Sequence, residues 1–284
     1  MKKIAFTLLL SAAALLRADI VKNPDSNTLW KEDCRNVEKN WREGVKGQHS
    51  RTSDGKTFSF ECNKRGNTGH ADFIRVPVSP EYPWLVFKID SVKANPGYRT
   101  WNLRIRALDS FGAGQINTQD PGFFAFNIWE GAKLKQIPKT AELYFYNYTL
   151  KVTFSELKMV KQPDNFITAD SPAFKEKKAF GPGDKIRFTV TLKEPAEDVS
   201  VRLIHPDLLF AAKLNGMDKL QLKPTDDTQK VWSAEFEVKT LGPVRKRTDF
   251  KRNEILIRAS VLGGAVSEPL WGTINYPYVS GKNK

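Results

Sequence analysis

The sequence is poor in the residues that most often carry chemistry. Its 284 residues include two cysteines and three histidines. That excludes a small scaffold built on disulfides, and two Cys with three scattered His are too few ligands for a structural metal centre. It contains no Gly-x-Ser-x-Gly, no His-Glu-x-x-His and no Gly-rich phosphate loop ending in Lys. No long stretch carries the 3.6-residue apolar period of a helix. One long apolar run exists, at the N-terminus, and it is too short to span a bilayer.

That run follows Met1-Lys2-Lys3, extends from Ile4 to Leu16 without a charge, and ends at Arg17-Ala18-Asp19. A basic start, an apolar core and a small residue before a polar one form the pattern of a secretory signal peptide. Cleavage is expected after Ala18, with the Ala12-Ala13-Ala14 stretch as the alternative. The mature chain is then secreted or periplasmic, with no transmembrane segment. An oxidising compartment makes a Cys34–Cys62 disulfide one expectation and two buried thiols the other. The bridge would close a loop worth roughly 3–4 kcal/mol in the chain-entropy model.

Acidic residues are the minority. Without Lys2, Lys3 and Arg17 the chain has 42 basic and 32 acidic residues, a net charge of +10. The excess is spread over both halves and forms no basic tail. Such a field favours anionic partners. Export makes acidic polysaccharide the expected partner and nucleic acid an unexpected one, with a protein partner at the cell surface as the alternative.

Short alternating runs, broken by Gly, Pro, Asn and Asp, fill the rest of the sequence. That is the pattern of an all-β protein. Strands are expected near Thr57–Cys62, Asp72–Val78, Trp84–Asp90, Trp101–Leu108, Gly122–Trp129, Glu142–Tyr148 and Leu150–Val160. After a linker at 163–165 they are expected near Lys185–Leu192, Asp198–Ile204, Lys230–Val238, Glu254–Leu262 and Leu270–Tyr276. Asp54-Gly55, Asn95-Pro96-Gly97, Phe111-Gly112-Ala113-Gly114 and Asp120-Pro121-Gly122 read as turns.

Asp54-Gly55-Lys56-Thr57-Phe58-Ser59-Phe60, Ile74-Arg75-Val76-Pro77-Val78 and Tyr82-Pro83-Trp84-Leu85-Val86-Phe87 stand in the first half. Val152-Thr153-Phe154-Ser155-Glu156-Leu157-Lys158-Met159-Val160 closes it. On these residues the first half resembles the galactose-binding-like jelly-roll modules that often serve as carbohydrate-binding modules. The second half is similar to an immunoglobulin-like sandwich. The resemblance implies a jelly-roll domain over 19–162 and an immunoglobulin-like domain over 166–280. Family members commonly carry an Asp pair near a structural calcium. Here Ser155-Glu156 stands instead, so a calcium has no support and no cofactor is expected.

Alternation assigns faces. Leu103, Ile105 and Ala107 share one side of their strand, Arg104 and Arg106 the other. Asn127 and Trp129 are expected to point outward, as are Tyr144, Tyr146 and Tyr148. Rings that stack on pyranose faces, beside Arg and Asn donors, make up a sugar-binding surface. Arg suits a uronate or sulfate better than Lys because its planar donors bind bidentately. Three alternatives compete. The rings can be covered by the second half or by the segment Trp30–Trp41, they can be ordinary cross-strand pairs, or the strands can lie on different sheets. Tyr98 and Arg99 form a second candidate set in a loop. A third basic cluster, Arg245-Lys246-Arg247 with Lys251-Arg252, reads as a solvated loop. Asn147-Tyr148-Thr149 matches a glycosylation sequon but falls within strand signals. The expected function is non-catalytic carbohydrate binding. A structural or adhesion protein, and a lyase or glycosidase with an unmarked site, are the alternatives.

Overall fold

The computed structural model describes residues 26–43, 49–62, 70–94, 102–108, 110–113, 121–130, 132, 134–148, 150–176, 178–204, 211–242, 255–263 and 269–274. From the N-terminus the strands are β1 (Thr28–Lys31), β2 (Arg42–Glu43), β3 (His49–Ser53), β4 (Phe58–Cys62), β5 (His70–Pro77), β6 (Trp84–Ala94), β7 (Asn102–Ala107), β8 (Ser110–Ala113), β9 (Gly122–Asn127), β10 (Thr140–Tyr148) and β11 (Leu150–Val160). They continue as β12 (Phe166–Asp170), β13 (Lys185–Thr191), β14 (Asp198–Ile204), β15 (Ala211–Leu214), β16 (Leu220–Gln221), β17 (Lys223–Pro224), β18 (Val231–Glu237), β19 (Leu241–Gly242), β20 (Ile255–Leu262) and β21 (Leu270–Ile274). Two one-turn helices, α1 (Val37–Asn40) and α2 (Pro172–Lys175), complete the described elements. The protein is all-β, built as packed sheets with no closed barrel among the described residues.

Three sheets organise it. The largest runs β19-β15-β14-β20-β21-β9-β6-β11-β4-β3, with β1 added to β11 and β16 to β14. A five-stranded sheet has the order β2-β5-β10-β7-β8, and a four-stranded one β12-β13-β18-β17. Core 1 fills the space between the five-stranded sheet and one arm of the large sheet. Phe58, Phe60, Phe87, Phe145 and Phe154 meet there, and Phe58 stacks on Phe154 at 5.0 Å. Core 2 lies between the four-stranded sheet and the other arm, around Ile186, Phe188, Val190, Val199, Val201 and Ile257.

The two arms are one sheet because β9 pairs in parallel with β21. Adjacent residues there serve different cores. Phe124 and Trp271 join core 1, whereas Phe123 and Leu270 pack on core 2. The approach is close. Gly122 has φ +151, and a Cβ on it would lie 2.4 Å from the Pro269 carbonyl oxygen. Only glycine fits that backbone and that space.

Strand irregularities explain the core pattern. In β11, Leu150, Val152 and Phe154 are buried, then Leu157 and Met159. The register against β6 shifts between Phe154 and Glu156. That bulge changes which parity of residues faces inward.

Two features differ from the sequence-based expectation, and two more decide alternatives that it left open. Phe111-Gly112-Ala113 belongs to β8, paired to β7. The turn lies just after Ala107, where Leu108 takes φ +48, the positive φ that tight hairpin connections require. Cys34 and Cys62 are two buried thiols with no disulfide between them. Cys34 lies at the tip of the β3–β4 hairpin, its carbonyl accepting from Gly55 N at 3.2 Å. Cys62 ends β4 opposite His49. The strand between them spans ~14 Å, and a disulfide allows Cα atoms only about 7 Å apart. The segment Trp30–Trp41 seals core 1 instead of covering an outer face: Trp41 sits edge-on to Phe145 at 5.2 Å, its indole donating to Glu32 Oε2 at 2.9 Å. Finally, the Asn147 side chain is buried. It donates to Leu150 O at 2.7 Å and accepts from Leu150 N at 3.1 Å, so the asparagine of the sequon is engaged by backbone.

Candidate ligand-binding face

β10 runs through the middle of the five-stranded sheet, between β5 and β7. Ala141, Leu143, Phe145 and Asn147 point into core 1 and are buried. Glu142, Tyr144 and Tyr146 therefore take the outer face, and all three are half-buried. On β5 the inward residues are Ile74 and Val76, so Phe73 and Arg75 join that outer face.

Register brings these side chains together. Tyr144 stands opposite Phe73 on one side and Arg106 on the other. Arg42 on β2 lies beyond Phe73. One row across the sheet thus reads Arg42, Phe73, Tyr144, Arg106. In the next row Tyr146 stands opposite Arg104. In the row on the other side Glu142 stands opposite Arg75.

The rings form a ladder. Phe73 and Tyr144 have centroids 5.3 Å apart and planes 30° apart. Tyr144 and Tyr146 are 6.0 Å apart and 22° from parallel. Arg75 Nη2 lies 3.0 Å from Glu142 Oε1, and the hydroxyl of Tyr144 donates to Glu142 Oε2. The Tyr144 hydrogen bond holds the Glu142 carboxyl below its ordinary range, assisted by Arg75. The same bond pushes the Tyr144 phenol up, because Glu142 holds its proton. The face therefore offers aromatic carbon flanked by guanidinium donors, with the Glu142 carboxylate already engaged by a tyrosine and an arginine. Such a surface can stack on a sugar ring and fork onto carboxylates.

The sequence-expected set is split. Arg106, Tyr144 and Tyr146 are brought together, and the β7 register puts Arg104 beside Tyr146. The side chains of Arg104 and Tyr148 lie outside the described residues, as do Tyr98, Arg99 and the 245–252 basic cluster. Asn127 and Trp129 lie elsewhere. Strand β9 belongs to the large sheet, between β6 and β21. There Asn127 Oδ1 accepts from Trp129 N at 2.9 Å, and the Trp129 indole donates to Ser79 O at 3.1 Å while its ring packs on core 1. These two residues close a turn. Trp84 packs on Phe166 at 5.6 Å, and the Lys161 ammonium sits 5.1 Å over the Tyr82 ring.

Phe73, Arg75, Glu142 and Arg42 were missed. The alternation of Asp72–Val78 already contained the first two, since Ile74 and Val76 claim the inner side. Arg42 had no such signal, because β2 is two residues long. Among the described residues no group of three or more His, Cys, Asp or Glu is placed to hold a metal ion. No helix among them is long and apolar enough to cross a membrane.

No protein-family model matches this chain, and no curated protein matches it as a relative. Similar solved structures include a DUF4785 family protein from Legionella pneumophila, at 12% identity and a TM-score of 0.29, covering 91% of this chain and 70% of that one. Another is a β-glucuronidase from Bacteroides uniformis, at 10% identity and a TM-score of 0.24, covering 74% of this chain and 27% of that one.

Proposed function

We infer that this chain is an exported, non-catalytic carbohydrate-binding protein that favours acidic polysaccharide. The outer face of the five-stranded sheet is its binding surface. One observation carries the reading: the rings Phe73, Tyr144 and Tyr146 form a ladder in which Tyr144 stands opposite Arg106 and Arg75 lies on the same face. Rings supply stacking area, and arginines supply the preference for carboxylate or sulfate. Export rests on the N-terminal Met1–Ala18 pattern. Within this reading the first half is a galactose-binding-like jelly roll and the second an immunoglobulin-like sandwich. The partner is a glycan, and no cofactor is used.

A lyase reading fares worse at this face. A tyrosine base must lose its proton readily, and Glu142 holds the proton of Tyr144.

The test is electrophoresis of the chain through native gels containing polygalacturonate or a neutral xylan, at low and high salt. Retardation by polygalacturonate that weakens about tenfold in Tyr144→Ala/Tyr146→Ala is the expected result. Equal retardation of both proteins would overturn the assignment to this face. Shortening of the polymer would overturn the non-catalytic reading.

A further inference from the structure

The large sheet carries a second cationic feature, on the face turned away from core 2. Val201, Leu203, Ile257 and Leu270 point into that core. Their neighbours Arg202, Arg258 and Trp271 take the opposite face. Pairing sets them abreast, Arg202 opposite Arg258 and Arg258 opposite Trp271. On the next strand, β15, Leu214 is fully buried in core 2, so Lys213 joins the face of Arg202. Lys213, Arg202 and Arg258 thus lie on one face of three successive strands, whose axes are about 4.8 Å apart.

Cations directly opposite each other in an antiparallel pair repel. The end of this row is fixed: the Arg258 guanidinium carbon lies 5.3 Å from the Trp271 ring centroid, and Trp271 is stacked on Phe124 at 5.7 Å. The rest is open. Arg202 and Lys213 are exposed. On the same side of β14, Asp198 is already engaged by Gln221 and by Lys219 Nζ at 3.9 Å.

We propose that Lys213, Arg202 and Arg258 form an anion-binding strip for the carboxylate or sulfate groups of a polyanionic polysaccharide. This strip is on a different sheet from the Tyr144 face and stands without it. Guanidinium forks match both oxyanions. Single-stranded nucleic acid would need exposed rings for its bases, and the ring of this row, Trp271, is 3% exposed.

The probe is dextran sulfate in native gels, with uncharged dextran as reference. Arg202→Ala/Lys213→Ala should weaken retardation about tenfold, as loss of two exposed ion contacts. Lys185→Ala/Arg187→Ala removes the same charge from cations already paired with Glu235, and should leave retardation near wild type. Arg202→Ala/Lys213→Ala should cost the same factor when added to Tyr144→Ala/Tyr146→Ala, which separates the strip from the other face. Arg202→Gln, which keeps much of the side-chain stem, should weaken retardation in the same direction if the double variant melts early. Equal losses in the two charge-matched variants, or no loss in either, would overturn the strip. Retardation by an oligothymidylate equal to that by dextran sulfate would overturn its assignment to polysaccharide.

Discussion

The rings of Phe124 and Trp271 stack at 5.7 Å, 4° from parallel, across the β9–β21 pair that joins the two halves of the molecule. Phe87 extends the stack at 4.8 Å. The junction is therefore a packed sheet interior and not a flexible hinge. It depends on Gly122, where a side chain would meet the Pro269 carbonyl and Trp271.

Gly122→Ala should lower stability by about 2–4 kcal/mol through strain and overpacking. Thermal melting followed by tryptophan fluorescence measures it. A melt equal to wild type would show that β9 and β21 do not approach as closely as described.

Asn147 predicts a second large loss. Its side chain hydrogen-bonds both backbone groups of Leu150. Asn147→Ala leaves buried groups unsatisfied and should cost about 2–3 kcal/mol. Expression in a glycosylating host should leave the wild-type Asn147 unmodified, as mass spectrometry of the tryptic peptide would report.

The thiols make a third prediction. Burial pushes Cys34 up to about 11, and Cys34 and Cys62 are both buried and unbridged. A thiol reagent at neutral pH should react slowly with the folded chain and find two thiols per chain after denaturation. Reductant should leave the melting temperature unchanged. A fall on reduction would mean the bridge forms.

Glu142 predicts an acid limb. Its carboxyl titrates below the ordinary range near 4.5 in the folded state, so the unfolded chain takes up its proton first as pH falls. Its contribution is complete above the unfolded value and is lost as pH drops through the lower folded one. Melting measured from pH 6 to pH 3 should fall less steeply in Glu142→Gln than in wild type.

Much of this was legible in single strands. Ile186, Phe188 and Val190 alternate with Arg187 and Thr189, and β13 buries the first three. Leu143 and Phe145 likewise gave away the direction of Tyr144 and Tyr146. Sheet order was not legible, because alternation says which way a side chain points and not which strand lies beside it. Hence Asn127 and Trp129 were grouped with Tyr144 although β9 pairs with β6 and β21. The sharing of one sheet by both halves was hidden for the same reason. Phe123 and Phe124 are adjacent apolar residues in a strand exposed to two cores, a pattern that also fits a strand buried on both faces.

The most direct test is an isothermal titration of wild type and Tyr144→Ala/Tyr146→Ala with a uronic acid oligosaccharide and its neutral counterpart at two salt concentrations. The account predicts binding that prefers the uronate, persists in part at high salt because stacking is not screened, and weakens about tenfold in the variant. Identical affinities for the two proteins, or binding abolished by salt alone, would contradict it.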